Sequence, residues 1–244
     1  MAWQALEAVG VGQGEAASGT GFVSFRNRGD AGRQLAAKLA GYRNRSRTVV
    51  LGLPRGGVVT AFEVAMALRL PLDVIISRKL GAPDNPEFAV GAVAEDGEPY
   101  LSEYGVGLSG ASRRYLDEET ERQRAEIERR RVWFRKGQRL ALPECATVIL
   151  VDDGIATGAT VIAAIGALRG MQVGRIVLAV PVAPPETVAV LRSLVDEVVV
   201  LATPEPFWAV GNFYEDFRPT SDHEVCDLLM RAAIAAKEDK DRKG

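Results

Sequence analysis

Asp152 and Asp153 stand side by side in VILVDDGIATGAT (148–160), between an apolar, β-branched run and a loop of small residues. Ionised carboxylates accept hydrogen bonds from hydroxyl groups, or hold Mg2+ through water, but they repel a phosphate. The residues just after them have the opposite preference. Ala156, Thr157, Gly158, Ala159 and Thr160 lack bulk, so their backbone can approach an anion, and the two threonines add hydroxyl donors. A helix starting near Thr160 would aim unpaired amides and the positive end of its dipole at the same point. The acidic pair thus suits a diol and the following loop suits a phosphate monoester; a sugar phosphate would satisfy both.

A second stretch, LGLPRGGVVTAFEVA (51–65), has the same form of apolar run, tight loop and helical spacing. Gly56 and Gly57 can expose backbone amides in conformations closed to other residues, and Arg55 adds a permanent positive charge. A glycine turn made only for packing would look the same. Further on, ISRKLGAPDNPEFAVGAV (76–93) sets Arg78 and Lys79 at a strand end before a polar, proline-containing loop.

These residues need a scaffold that brings distant loops to one edge. TVVLGLP (48–54), PLDVIISRKL (71–80), FAVGAVAEDG (88–97), TVILV (147–151), RIVLAVPV (175–182) and EVVVLA (197–202) read as strands. Helical patterns lie between most of them: DAGRQLAAKLA with Asp30 as cap, a helix after Gly57, one from Thr160, PETVAVLRSLV (185–195), and a last helix capped by Ser221 or Asp222. Near-continuous apolar strands alternating with helices predict an α/β fold: an open, mainly parallel twisted sheet with helices on both faces. In such sheets ligands bind beyond the carboxyl ends of the strands, where the loops after 151 and 53 fall.

Three segments stand outside that alternation. Residues 109–136 read as one long helical insertion with Ser109 as cap, its opposed charges at pairing distance and only a thin apolar stripe. Residues 203–221 gather Phe207, Trp208, Phe213, Tyr214 and Phe217 into an irregular hood or cap. Those rings can stack on a planar heterocycle or form a small core of their own. Residues 1–21, rich in Gly, Ala and Ser, read as a loose tail, with the domain over 22–236 and a C-terminal tail over 237–244.

Composition sets bounds on partners. The 244 residues hold 30 Lys+Arg against 32 Asp+Glu, which gives no global charge case for nucleic acid or acidic membranes. The start lacks the basic and apolar regions of a signal peptide, and no apolar run is long enough for a membrane span. Only two cysteines, Cys145 and Cys226, are present, without activating neighbours, and no Cys/His spacing suggests a metal cage; a reducing, cytoplasmic setting is expected. His223, the one histidine, opens a helix, where capping or exposure outweighs a catalytic part.

VILVDDGIATGAT resembles the signature of the type I phosphoribosyltransferases: apolar residues, two acidic residues, then a small loop with TG before a final Thr. With PRGG, RKLGAPDNPEFAVGAVAEDG and FYEDFRPTSDHEV, the sequence is similar, over roughly residues 22–230, to a group of predicted bacterial members whose acceptor is unassigned. The resemblance implies transfer of a 5-phosphoribosyl group from phosphoribosyl pyrophosphate to a nitrogenous acceptor, with pyrophosphate leaving. It implies that Asp152 and Asp153 hold the ribose hydroxyls and, indirectly, Mg2+, and that Ala156 to Thr160 hold the 5′-phosphate. Arg55, Gly56, Gly57, Arg78 and Lys79 would face pyrophosphate, Asp153 is the nearest candidate for a general base, and Phe207, Trp208, Phe213 and Tyr214 would cover the base. Ala156 departs from the acidic residue usual in 6-oxopurine enzymes, and Ala159 replaces a glycine of some members. A sensor of phosphoribosyl pyrophosphate without turnover is the other reading; a homodimer through the helical insertion is left open by the charge pattern.

Overall fold

The computed structural model describes residues 24–241; the expected N-terminal tail over 1–21 lies outside them. Five parallel strands form the main sheet: β1 (Thr48–Gly52), β2 (Leu72–Val74), β6 (Thr147–Val151), β7 (Arg175–Val182) and β8 (Glu197–Ala202), in the order β2-β1-β6-β7-β8. From β1 the chain steps outward one way to β2, and from β6 the other way to β7 and β8. The direction of winding therefore reverses between β1 and β6, and such a reversal leaves a crevice between the loops that leave the two strands.

Alternate strand residues supply two apolar layers, because successive side chains in a strand point to opposite faces. Val50, Ile149, Val151 and Val177 pack with α1 (Arg28–Lys38) and α2 (Gly56–Leu68) on one face. Leu51, Val148, Leu150, Ile176 and Leu178 pack with α5 (Ala159–Gly170) and α6 (Pro185–Arg192) on the other. Burying each such branched side chain contributes about 1.5–3 kcal/mol. Covered on both faces, β1 and β6 have no polar side to show.

A second sheet departs from the sequence expectation. The run 71–80 is two strands, β2 and β3 (Ser77–Gly81), with the buried Ile75 and Ile76 carrying the chain between sheets. β3 joins β4 (Ala89–Ala94) and β5 (Tyr100–Leu101) in an antiparallel sheet of order β3-β4-β5. The 109–136 insertion is also two pieces. Ser102 and Ser112 cap α3 (Glu103–Ser109) and α4 (Arg113–Arg135), and Gly110, at φ 62°, ends the first. The cap expected of Ser109 thus belongs to Ser112. In α1 the side-chain cap is Asn27, whose oxygen accepts the amide of Asp30, so Asp30 sits inside the first turn.

One face of α4 places Leu116, Ile127 and Phe134 against the second sheet and α7 (Asp222–Asp241). Its remaining faces are laced by i,i+3 and i,i+4 pairs such as Arg114–Glu118 and Arg131–Glu128. Helix α7 is capped by Ser221, which accepts the Glu224 amide, and it runs into the segment expected to be a tail. Among the described residues no helix is long and apolar enough to cross a membrane.

Candidate active site

Strands β1 and β6 pair in register from Thr48 with Thr147 to Gly52 with Val151. Beyond this shared end the Leu53 amide still donates to the Val151 carbonyl, so the two loops leave the sheet together. The PRGG loop and the acidic pair, far apart in sequence, are thereby pressed against each other. A Cβ on Gly57 would lie 2.6 Å from Asp152 Oδ1, and one on Gly56 would collide with the Asp153 carboxylate. Both glycines stand in the first turn of α2 without a positive φ. Close approach, and not the unusual backbone conformation expected from sequence, is what demands glycine at both positions. The Pro54–Arg55 peptide that precedes them is cis.

Two helices aim their amino ends at this crevice. Helix α2 follows Arg55 and α5 follows Gly158, and neither has a side-chain cap. Their first-turn amides keep the partial positive charge that attracts anions. Gly158 adopts φ 78°, a left-handed conformation that turns the chain from the exposed Ala156 and Thr157 into α5. The loop is held from behind: the Ile155 amide donates to Val182 O, and Thr187 Oγ1 donates to Ala156 O over 2.8 Å. Ala159 is buried and Thr160 half-buried at the helix start.

Asp152 and Asp153 point inward. Asp152 Oδ1 accepts the backbone amide of Asp153 at 2.9 Å, and Arg28 Nε donates to Asp153 Oδ2 at 2.5 Å with both side chains under 15% exposed. Burial raises both carboxyls above the usual aspartate range. The neighbouring Asp153 charge pushes Asp152 further up, whereas Arg28 holds Asp153 back.

Arg28 is a further residue of the site, outside the candidates named from sequence. Its guanidinium lies 3.7 Å from the centre of the Phe217 ring and donates through Nη1 to the Arg218 carbonyl. Tyr214 enters the site by its hydroxyl and not by its ring face: the hydroxyl donates to the Asp153 carbonyl, and burial pushes its pKa up. No local pattern signals either contact, because the partners are brought in from opposite ends of the chain.

The 203–221 segment is joined to the amino end of the described chain. Phe25 donates to Phe213 O and accepts from the Glu215 amide, and Phe25, Phe213, Tyr214 and Phe217 build a satellite core. Phe213 and Tyr214 are buried in it, so their rings serve packing and are not open faces for a heterocycle. Phe207 lies at its margin, its ring tilted against Phe213 with centroids 5.0 Å apart, and Trp208 projects into solvent, 81% exposed.

The basic residues of β3 diverge, as strand alternation requires. Arg78 turns toward α4, where Nε donates to Gln123. Lys79 donates to the carbonyl and carboxylate of Glu87 across the 81–88 loop, both at 3.0 Å. His223 is exposed beside Asp227, and Cys145 and Cys226 are free thiols.

A phosphoribosyl transferase domain model matches residues 24–218. The chain belongs to that family. It is 47% identical over 208 residues to two Mycobacterium tuberculosis proteins, Rv0571c of strain H37Rv and MT0597 of strain CDC 1551, each carrying a provisional phosphoribosyl transferase name. The match covers 85% of this chain and 47% of each relative, so the chain spans about half the length of these curated relatives. The crystal structure of TT1426 from Thermus thermophilus superposes with TM-score 0.70 at 45% identity, covering 85% of this chain and 98% of that one. Membership fits the geometry: the matched residues include both loops that meet at the β1–β6 crevice.

Proposed function

We propose that this domain transfers the 5-phosphoribosyl group of phosphoribosyl pyrophosphate to a small, polar, nitrogenous acceptor. The observation that carries the reading is the meeting of an uncapped helix start, a buried acidic pair and a second uncapped helix start along one crevice. In this reading the amides of Ala159 and Thr160, with the Thr157 hydroxyl, bind the 5′-phosphate. Asp152 and Asp153 accept hydrogen bonds from the ribose 2- and 3-hydroxyls. Arg55 and the amino end of α2 face the pyrophosphate.

Departure of pyrophosphate leaves positive charge on the ribose, so the site's work is to hold the leaving group and fix the sugar. Arg28 keeps one carboxylate oxygen of Asp153 occupied, which orients the other toward the sugar. Two carboxylates with few other protein donors suit Mg2+ bound largely through substrate oxygens, where it would neutralise phosphate charge. Among the described residues no three His, Cys, Asp or Glu side chains form a cage of their own.

The acceptor enters beside Arg28, in a cleft of about 540 Å³ lined by Asn27, Arg33, Glu63, Asp216 and Arg218. Its mixed charges favour an acceptor with both donors and acceptors of hydrogen bonds. A roomier cavity of about 730 Å³ between α5 and residues 96–104 touches the loop only at Thr157, and neither Asp152 nor Asp153 lines it.

The test is pyrophosphate release with phosphoribosyl pyrophosphate and a panel of nucleobases and small amines. Release with at least one acceptor, lost in Asp152→Asn/Asp153→Asn, is the expected result. Tight binding without turnover across a broad panel would replace the transferase by a sensor, and absence of binding would overturn both.

A further inference from the structure

Phosphoribosyl transfer as described gives α4 no part, although the middle turns of this helix lie against the PRGG side of the crevice. Arg129 Nη2 stands 3.5 Å from Asp222 Oδ2, and Arg55 Nη1 stands 3.9 Å from the other oxygen of the same carboxylate. Both distances exceed a hydrogen bond, and Asp222 Oδ1 is buried without a hydrogen-bond partner. One turn earlier, Glu126 takes Arg129 at 2.7 Å and Arg130 at 2.9 Å, which draws its carboxyl down to about 2. Arg78 reaches the same helix through Gln123, a neutral amide, at 3.0 Å. Among the described residues no carboxylate lies within salt-bridge distance of it.

Arg55, Arg129 and Arg130 therefore share two carboxylates, Glu126 and Asp222, and Arg78 stands against the same helix face with no carboxylate of its own. Burial first, and then the charges of Arg130, Arg55 and Arg129, depress the pKa of Arg78. Like charges are held together at a cost unless an anion joins them. Arg55 and Arg129 are about half exposed and can reach one, while Arg130 is buried behind them. Guanidinium forks match phosphoryl oxygens in pairs, and the amino end of α2 opens at the same place.

We propose that Arg129 of α4 joins Arg55 and Arg78 of β3 in a pyrophosphate-binding wall beside the PRGG loop, and that Asp222 is the internal carboxylate which pyrophosphate displaces. This rests on the phosphoribosyl reading and adds to it a substrate-contacting helix and a built-in competitor. Asp222 sets the strength of pyrophosphate binding: it pairs loosely with Arg55 and Arg129 when the site is empty and yields them when the leaving group arrives.

Calorimetric titration of the full chain with inorganic pyrophosphate in Mg2+, and separately with ribose 5-phosphate, tests this. Arg129→Gln is expected to weaken pyrophosphate about tenfold or more while ribose 5-phosphate binds as before. Asp222→Asn is expected to tighten pyrophosphate severalfold, because the competitor loses its charge. A mere clasp between α4 and α7 predicts lower melting temperatures for both variants with neither affinity moved, and that result would overturn the inference. So would weaker pyrophosphate binding in Asp222→Asn. Wild-type protein that binds neither ligand would overturn the phosphoribosyl reading, and this wall with it.

Discussion

At the scale of single residues, the site is arranged against its own stability. A buried carboxyl whose folded pKa lies above its unfolded 3.8 contributes most to stability below that pH, and the contribution declines as pH rises through the folded value. At neutral pH Asp152 is thus a cost that ligand hydroxyls relieve. Asp152→Asn should leave the melting temperature at pH 7 unchanged or raised, while affinity for phosphoribosyl pyrophosphate falls at least about a hundredfold. Scanning fluorimetry and calorimetry on the same sample check both halves; retained affinity would remove Asp152 from the ribose site. Hydroxyl donors favour the ionised pair, so binding should release protons, and affinity should already drop on acidification well above pH 3.8. Titrations in buffers of different ionisation enthalpy read this directly, and no proton release would contradict it. The acidic pair and the small loop were legible in sequence because their chemistry is contiguous. The contacts of Arg28 and of the Tyr214 hydroxyl were not, since each owes its role to a partner far along the chain.

The sequence marks the elements that hold these residues unevenly, for a physical reason. Strands β6, β7 and β8 sit inside one sheet from end to end, and their apolar runs match their bounds. The run 71–80 is equally apolar, yet it serves two sheets. Ile75 and Ile76 are both buried because each sheet needs a cover where the chain crosses, and periodicity carries no mark of that. At the loop, Gly158 holds a left-handed conformation directly before α5. Gly158→Ala should destabilise the domain by about 1–2 kcal/mol, and Gly158→Asn, which tolerates this conformation, by less. Urea unfolding ranks the two; equal stability of the alanine variant and wild type would show that the turn is not fixed by its φ. The aromatic run offered two readings from sequence, stacking or a small core, and burial of Phe213 and Tyr214 gives the core its members.

Across the whole molecule, the crevice depends on two sheets keeping their relation. Glu95, buried at the end of β4, accepts the Ile76 amide at 2.9 Å and pairs with Arg135 at the end of α4, whose Nε lies 3.8 Å from Asp73 of β2. One carboxylate thus ties the second sheet, the crossing segment and the helical insertion together. Without Glu95 the buried Arg135 keeps only the more distant Asp73 and the Ile76 amide loses its acceptor, so Glu95→Ala should cost about 3 kcal/mol. Denaturant unfolding measures it, and a loss under about 1 kcal/mol would make the network incidental. Fold class followed from the alternation of apolar strands and helices, whereas this tie between sheets depends on contacts that no alternation records. The central claim is that a phosphoribosyl group lies between the PRGG loop and the DDGIATGAT loop. A crystal soaked with ribose 5-phosphate and magnesium pyrophosphate tests it most directly. The phosphate should rest on the amides of residues 158–160, with the sugar hydroxyls on Asp152 and Asp153; a sugar bound elsewhere, or aspartates turned from it, would contradict the account.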